Sequence, residues 1–361
     1  MTGAAACLSG IEGVTVVIHG SSGCYYYPTT LLHAPLEGTF IMENEVIFGS
    51  AARLREVING LAGRGRIAVV NTCVPSVLGE DTCEALSSLD ILLVDSPGFS
   101  GDAEAGYKKA LGVLSPRIDP SISGVNIDGI CALDPFSRGN AQEIARLLQL
   151  AAIPVATVFC LDTLEKIGRP ASFTIGTNTD YSSEIGRFIG GTLGIDETAR
   201  TFRALGEIFD MADVDPVLRE CEREEEHVIR ACEKYLRRFD PPRTAIFSGL
   251  AYATFAKRTL EKYLDADVVC TGSRNDTAGF ANVMRVQGMD QAKALIDQLH
   301  PDLIVGSSFE RSAGPVPGFV GITSPLRGRV RLAPRMIAGI GGTLSFVEDV
   351  LNECMNTMKP G

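Results

Sequence analysis

Three of the chain's ten cysteines stand apart by their surroundings. Cys7 lies in the small-residue run MTGAAACLSG, Cys24 in HGSSGCYYYP directly after VTVVIH, and Cys73 in NTCVPSVLGED directly after RIAVV. A thiolate on a turn beyond the C-terminal end of a strand can be surrounded by backbone N–H groups, which is the setting that iron–sulfur ligation needs. The same edge of an open parallel sheet is where ligands bind. The spacings match no short ferredoxin signature, and no Cys-x-x-Cys occurs. The residues alone therefore leave two readings open. One is a three-thiol metal site; the other is a lone Cys73 with Cys24 packed beneath Tyr25, Tyr26 and Tyr27.

Positioning such turns requires parallel strands. VTVVIH (14–19), RIAVV (66–70), DILLVD (90–95) and SGVNIDGIC (123–131) have strand length and β-branched composition, and stretches of helical spacing such as 50–63 and 140–151 separate them. The alternation predicts an α/β fold with parallel sheets in three lobes: 1–150, 151–240 and 241–361. The second lobe restarts at IPVATVF (153–159) and ends in a long amphipathic helix that opens at Asp215 and Pro216. Cys221 and Cys232 on its apolar side read as structural thiols. RTAIFSG (243–249) opens the third lobe, which closes in a returning C-terminal helix. With 33 Lys and Arg against 44 Asp and Glu, the formal charge of −11 argues against nucleic acid as a partner. No apolar run is long enough to span a bilayer, and the first residues do not read as a secretion signal, so a cytoplasmic protein with reduced thiols is expected.

The segments HGSSGC (19–24), ENEVIFG (43–49), NTCVPSVLGED (71–81) and DSPGFSG (95–101), in this order, resemble the catalytic component of nitrogenase and of the nitrogenase-like tetrapyrrole reductases. PPRTAIFSG (241–249), PDLIVGSS (301–308) and the glycine-rich lead to the last helix extend the similarity over essentially the whole chain. The resemblance implies three Rossmann-like lobes. It also implies that the cysteines matching Cys7, Cys24 and Cys73 hold a [4Fe-4S] cluster where two subunits meet. The chain is much shorter than a dinitrogen-reducing subunit and shows no cysteine and histidine pair in its later lobes for an iron–molybdenum cofactor. It is most similar to the methanogen branch that works on a nickel tetrapyrrole. That branch implies a homodimer that reduces and cyclises nickel sirohydrochlorin a,c-diamide on the route to factor 430.

This similarity also implies a division of labour. The dipeptide Gly-Lys is absent, so the chain has no Walker A lysine, and GIGGTL (339–344) lacks an acidic partner for a nucleotide. MgATP is expected only on a separate iron–sulfur ATPase that docks transiently as electron donor. Two chains bring six such thiolates, whereas a four-iron cluster takes four ligands. One cluster on the two-fold axis and one cluster per chain with a non-thiolate ligand both remain open.

A macrocycle bearing carboxylates calls for guanidinium groups, and LRGRVRLAPR offers Arg327, Arg329 and Arg331 at period two, with Arg335 close behind. If extended, the first three share a side; the plainer reading is a solvated strand edge. Arg274 and Arg138 are further candidates. For proton supply, His19 and His33 flank the Cys24 turn with Tyr25 to Tyr27 between them, although a histidine at a strand end is more often a hydrogen-bonded structural group. Glu43, Glu45, Glu80 and Asp81 are expected to serve interface hydrogen bonds or helix capping.

Overall fold

The computed structural model describes residues 1–357 except His33, Ser88, 276–281, 314–317, Arg329 and Arg331. The chain divides into two compact units. The first comprises Met1–Leu133, Val155–Thr174 and Tyr181–Phe188; the second comprises Asp134–Pro154, Ile175–Asp180 and the residues from Ile189 onward.

The first unit begins with α1 (Thr2–Ser9), β1 (Val14–His19), α2 (Ser22–Leu32), β2 (Leu36–Gly38), α3 (Glu43–Phe48), α4 (Ala51–Gly60) and β3 (Arg66–Asn71). It continues through α5 (Cys73–Leu78), α6 (Thr82–Leu86), β4 (Leu92–Asp95), α7 (Ala103–Leu114) and β5 (Val125–Asp128). The strands β2-β1-β3-β4 form a parallel sheet in that order. Its central strands β1 and β3 are rich in Val and Ile because both of their faces are buried. Val16, Ile18, Ala68, Val70 and Val94 pack with α1 and α7, while Val17, Ile67 and Val69 pack with Leu54 and Ile58 of α4. Small residues bring α1 close to α7: a Cβ on Gly3 would lie 1.7 Å from the Ala103 carbonyl oxygen. In register, His19 lies beside Asn71 and Asn71 beside Asp95, which sets a polar row along the C-terminal edge of the sheet.

After α8 (Ser137–Leu150) come β6 (Val155–Val158), α9 (Leu164–Gly168), β7 (Phe173–Gly176), β8 (Arg187–Gly191), α10 (Ile195–Ile208) and α11 (Asp215–Leu236). A second sheet has the order β6-β5-β7-β8, so the strand within 123–131 pairs with β6. Composition marks a strand but not its neighbour, which is decided by where the crossover delivers it.

The remaining elements are β9 (Arg243–Ser248), α12 (Leu250–Leu264), β10 (Asp267–Ser273), β11 (Met284–Arg285), α13 (Met289–Leu299), β12 (Leu303–Gly306), α14 (Ser308–Arg311), β13 (Gly318–Gly321) and α15 (Gly339–Thr357). The third sheet, β11-β10-β9-β12-β13, is parallel throughout. On α11, Val217, Cys221, Val228, Cys232 and Tyr235 are buried, and burial pushes the Cys221 thiol up to about 12 and the Cys232 thiol up to about 11. Both cysteines act as small apolar side chains. No described helix is long and apolar enough to cross a membrane.

Candidate metal centre at a sheet edge

Cys24 and Cys73 occupy the first turns of α2 and α5, just beyond the C-terminal ends of β1 and β3. Both are half-buried. The Gly98 N–H donates to Cys73 Sγ at 3.1 Å, and Ser21 Oγ donates to Cys24 Sγ at 3.7 Å. N–H and O–H donors of this kind stabilise the negative sulfur of a metal thiolate. The two turns meet at Gly20, where a Cβ would lie 2.0 Å from Thr72 Oγ1 and 3.3 Å from Cys24 Cβ. Only glycine allows this approach. The Met1 amino group senses both sulfurs: burial lowers its pKa, and the charges of Cys73 and Cys24 act in the opposite direction.

Cys7 departs from the expected trio. It is fully buried in α1, with its sulfur 3.0 Å from Cys160 Sγ, and it shares a core cluster with Cys131. Burial, then the hydrogen bond with Cys160, pushes its thiol up. The physical reason is the alanine- and glycine-rich sequence of α1, which draws the helix onto the core and encloses the side chain. Among the described residues, no group of three or more His, Cys, Asp or Glu is arranged to hold a metal ion. Among the described residues, the edge thus carries the Cys24 and Cys73 thiols, half of what a four-iron cluster requires.

A buried polar chain supports this edge. His19 Nε2 lies 3.0 Å from Ser50 Oγ, Nδ1 lies 3.1 Å from Thr39 Oγ1, and Ser50 donates its hydroxyl hydrogen to Glu80 Oε2. The imidazole thus donates Nε2–H to Ser50, and its Nδ1 faces the Thr39 hydroxyl, which also lies 3.4 Å from the Gly20 carbonyl oxygen. Burial lowers its pKa to about 4, against the attraction of Glu80. The same histidine holds both thiol turns. Its carbonyl accepts from the Thr72 N–H and hydroxyl at the head of α5, and Thr39 Oγ1 accepts from Gly20 N–H before α2. Glu80 also accepts from Ser50 N–H at 2.8 Å, which ties the far end of α5 to the start of α4. A cavity of about 330 Å³ opens beside His19, Ser50 and Glu80.

Of the other candidate proton donors, Tyr25 is engaged elsewhere. Tyr25 donates its hydroxyl to the Leu36 carbonyl, and Tyr26 and Tyr27 are exposed; His33 lies outside the described residues. Glu45 caps α3 through Met42 N–H and Asp81 caps α6 through Glu84 N–H, while Glu43 is exposed. Around the thiol edge, large apolar side chains face solvent: Tyr26, Tyr27, Met42, Ile47, Phe48, Val77 and Phe99. Phe48 is 84% exposed, and α3 buries none of its residues. Patches of this kind mark interaction surfaces.

The arginines belong to the second unit. Arg327 is exposed in a turn with Gly328, whose φ is +76°, so the extended run expected from Arg327 is interrupted there. Its guanidinium sits 5.7 Å from the Phe309 ring centroid. Arg329 and Arg331 lie outside the described residues. Arg335 pairs with Asp349 and Arg274 with Glu310, while Arg138 is exposed on α8.

Sequence reasoning missed Thr39, Ser50 and Gly98 as supports of the edge. Gly98 lies within the quoted DSPGFSG, and Ser50 stands at a helix start, but neither position carries a chemical signature. Cys160 had no local signal at all.

The profile of the family described as nitrogenase component 1 type oxidoreductase matches residues 1–355. The nitrogenase iron-molybdenum cofactor biosynthesis protein NifE of Clostridium pasteurianum is 29% identical over 153 residues, 37% of this chain and 34% of that protein. NifE of Methanococcus maripaludis is 24% identical over 314 residues, 76% of this chain and 64% of its own. The nitrogenase molybdenum-iron protein beta chain of Bradyrhizobium diazoefficiens is 28% identical over 178 residues, which is 40% of this chain and 33% of that one. The matched regions thus cover from about a third to somewhat under two thirds of these relatives. In fold, the chain is similar to the structure titled "Nitrogenase Cp1 at pH 6.5", with a TM-score of 0.79 at 17% identity, covering 98% of this chain and 91% of that one.

Proposed function

Since this chain belongs to the nitrogenase component 1 type oxidoreductases, we propose that it is the catalytic component of an ATP-dependent reductase with nickel sirohydrochlorin a,c-diamide as substrate. In this role it reduces and cyclises the macrocycle on the route to factor 430. A [4Fe-4S] cluster on Cys24 and Cys73 of two paired chains supplies low-potential one-electron transfer when bound. The observation that carries the reading is the meeting of two half-buried, hydrogen-bonded cysteine turns at one sheet edge, inside a rim of exposed apolar side chains. Two chains paired at that rim contribute four thiolates, the number that such a cluster takes. Cys7, held against Cys160, is then not needed as a ligand. ATP hydrolysis falls to a separate iron–sulfur ATPase, in keeping with the missing Gly-Lys dipeptide.

Anaerobic reconstitution with iron and sulfide tests the site. Cys24→Ala and Cys73→Ala should each lose most of the bound iron, whereas Cys7→Ala should keep it; full iron in both edge variants refutes the assignment. Incubation with the ATPase partner, dithionite and the nickel macrocycle tests the reaction. A second reading, a scaffold for cofactor assembly, draws support from the similarity to the cofactor biosynthesis proteins NifE and NifN. Release of a preloaded cluster to an acceptor, without turnover of the macrocycle, would favour it.

A further inference from the structure

We infer that Cys7 and Cys160 form a peroxide-responsive thiol pair, a modification site within the first unit that closes to a disulfide. Their sulfurs are 3.0 Å apart although the residues are separated by 153 positions. That is roughly 1 Å beyond a covalent S–S bond, so closure needs only a small side-chain movement. The two backbone segments are already in contact. At Gly10, just after α1, a Cβ would lie 2.1 Å from the Cys160 carbonyl oxygen, so the end of the helix touches the Cys160 turn in a way only glycine permits. Cys160 itself has φ +57°, a left-handed conformation that side-chain-bearing residues adopt at a cost and that the surrounding packing must enforce.

Hydrogen peroxide is the oxidant; α1 is buried from Gly3 to Leu8, so this small molecule reaches the pair only through rare local opening of the core. One thiol sulfur attacks peroxide: the O–O bond breaks, an S–O bond forms, and sulfenic acid and water result. The second sulfur then displaces the sulfenic oxygen: the S–S bond forms, the S–O bond breaks, and the departing hydroxide takes the thiol proton as water. The sum is two thiols and one peroxide giving one disulfide and two waters, with two electrons passing from sulfur to oxygen. Burial makes the first step slow, since it holds Cys7 as the less nucleophilic thiol. It also keeps bulky thiols from capping the intermediate, so the neighbouring protein sulfur resolves it. The bond tethers α1 to the turn after β6. None of this depends on the cluster proposed above.

The test treats the anaerobically purified protein with hydrogen peroxide, unfolds it in excess alkylating reagent, and maps the cysteines by mass spectrometry. The expected result is a peptide pair linked through Cys7 and Cys160 that grows with peroxide dose and is released by reductant. Cys160→Ser should abolish the link and return Cys7 as an alkylated thiol, and Cys131→Ser should leave the link in place. The inference is overturned if Cys7 and Cys160 are recovered separately once the exposed Cys83 is fully oxidised, or if Cys7 is found joined to Cys131 instead.

Discussion

His19 illustrates how one side chain can serve two loops. Its ring donates to Ser50 through Nε2 and meets the Thr39 hydroxyl at Nδ1, and burial disfavours a second ring proton. The stability consequence has a definite sign. Between the ordinary value of 6.5 and the folded value of about 4, the unfolded chain binds a proton that the folded chain does not. This contribution is therefore complete above 6.5 and is lost as pH falls toward 4, on the order of 3 kcal/mol across the whole interval. Urea midpoints measured down that range should fall more steeply for the native chain than for His19→Gln; equal slopes would remove the histidine from the account. Cys24 and Cys73 were legible as candidates because each follows a β-branched run. Cys7 looked equivalent in sequence. Its small neighbours form a helix that buries it against Cys160.

Among the elements, α3 is the least explained by the chain alone. A helix with no buried residue and with Ile47 and Phe48 exposed gains nothing from its apolar side chains unless another surface covers them. Phe48→Asp should change the unfolding free energy of isolated chains only by the small amount of a surface substitution, about 0.5 kcal/mol. It should weaken self-association in sedimentation by tenfold or more. An unaltered dimer in that variant would locate the interface elsewhere. The strands at 14–19, 66–70 and 90–95 were readable because burial on both faces demands unbroken apolar runs. The pairing of β5 with β6 was not, because strand composition is blind to which neighbour a crossover supplies.

For the molecule as a whole, the count of thiols at the sheet edge becomes a stoichiometry. Two from each chain predict one four-iron cluster per pair of chains, so native mass spectrometry of the reconstituted protein should give four irons per dimer and an iron-free monomer. Eight irons per dimer would require ligands from outside the Cys24 and Cys73 turns. The sequence by itself determined the α/β class and the parallel strands, since these follow from local periodicity and from residues adjacent along the chain. Only the tertiary structure decided which cysteine turns are neighbours. The pairing of β1 with β3 sets the turns of Cys24 and Cys73 side by side, while α1 places Cys7 in the core against Cys160. Proximity between distant residues comes from how the layers stack, a property that no short stretch of sequence contains.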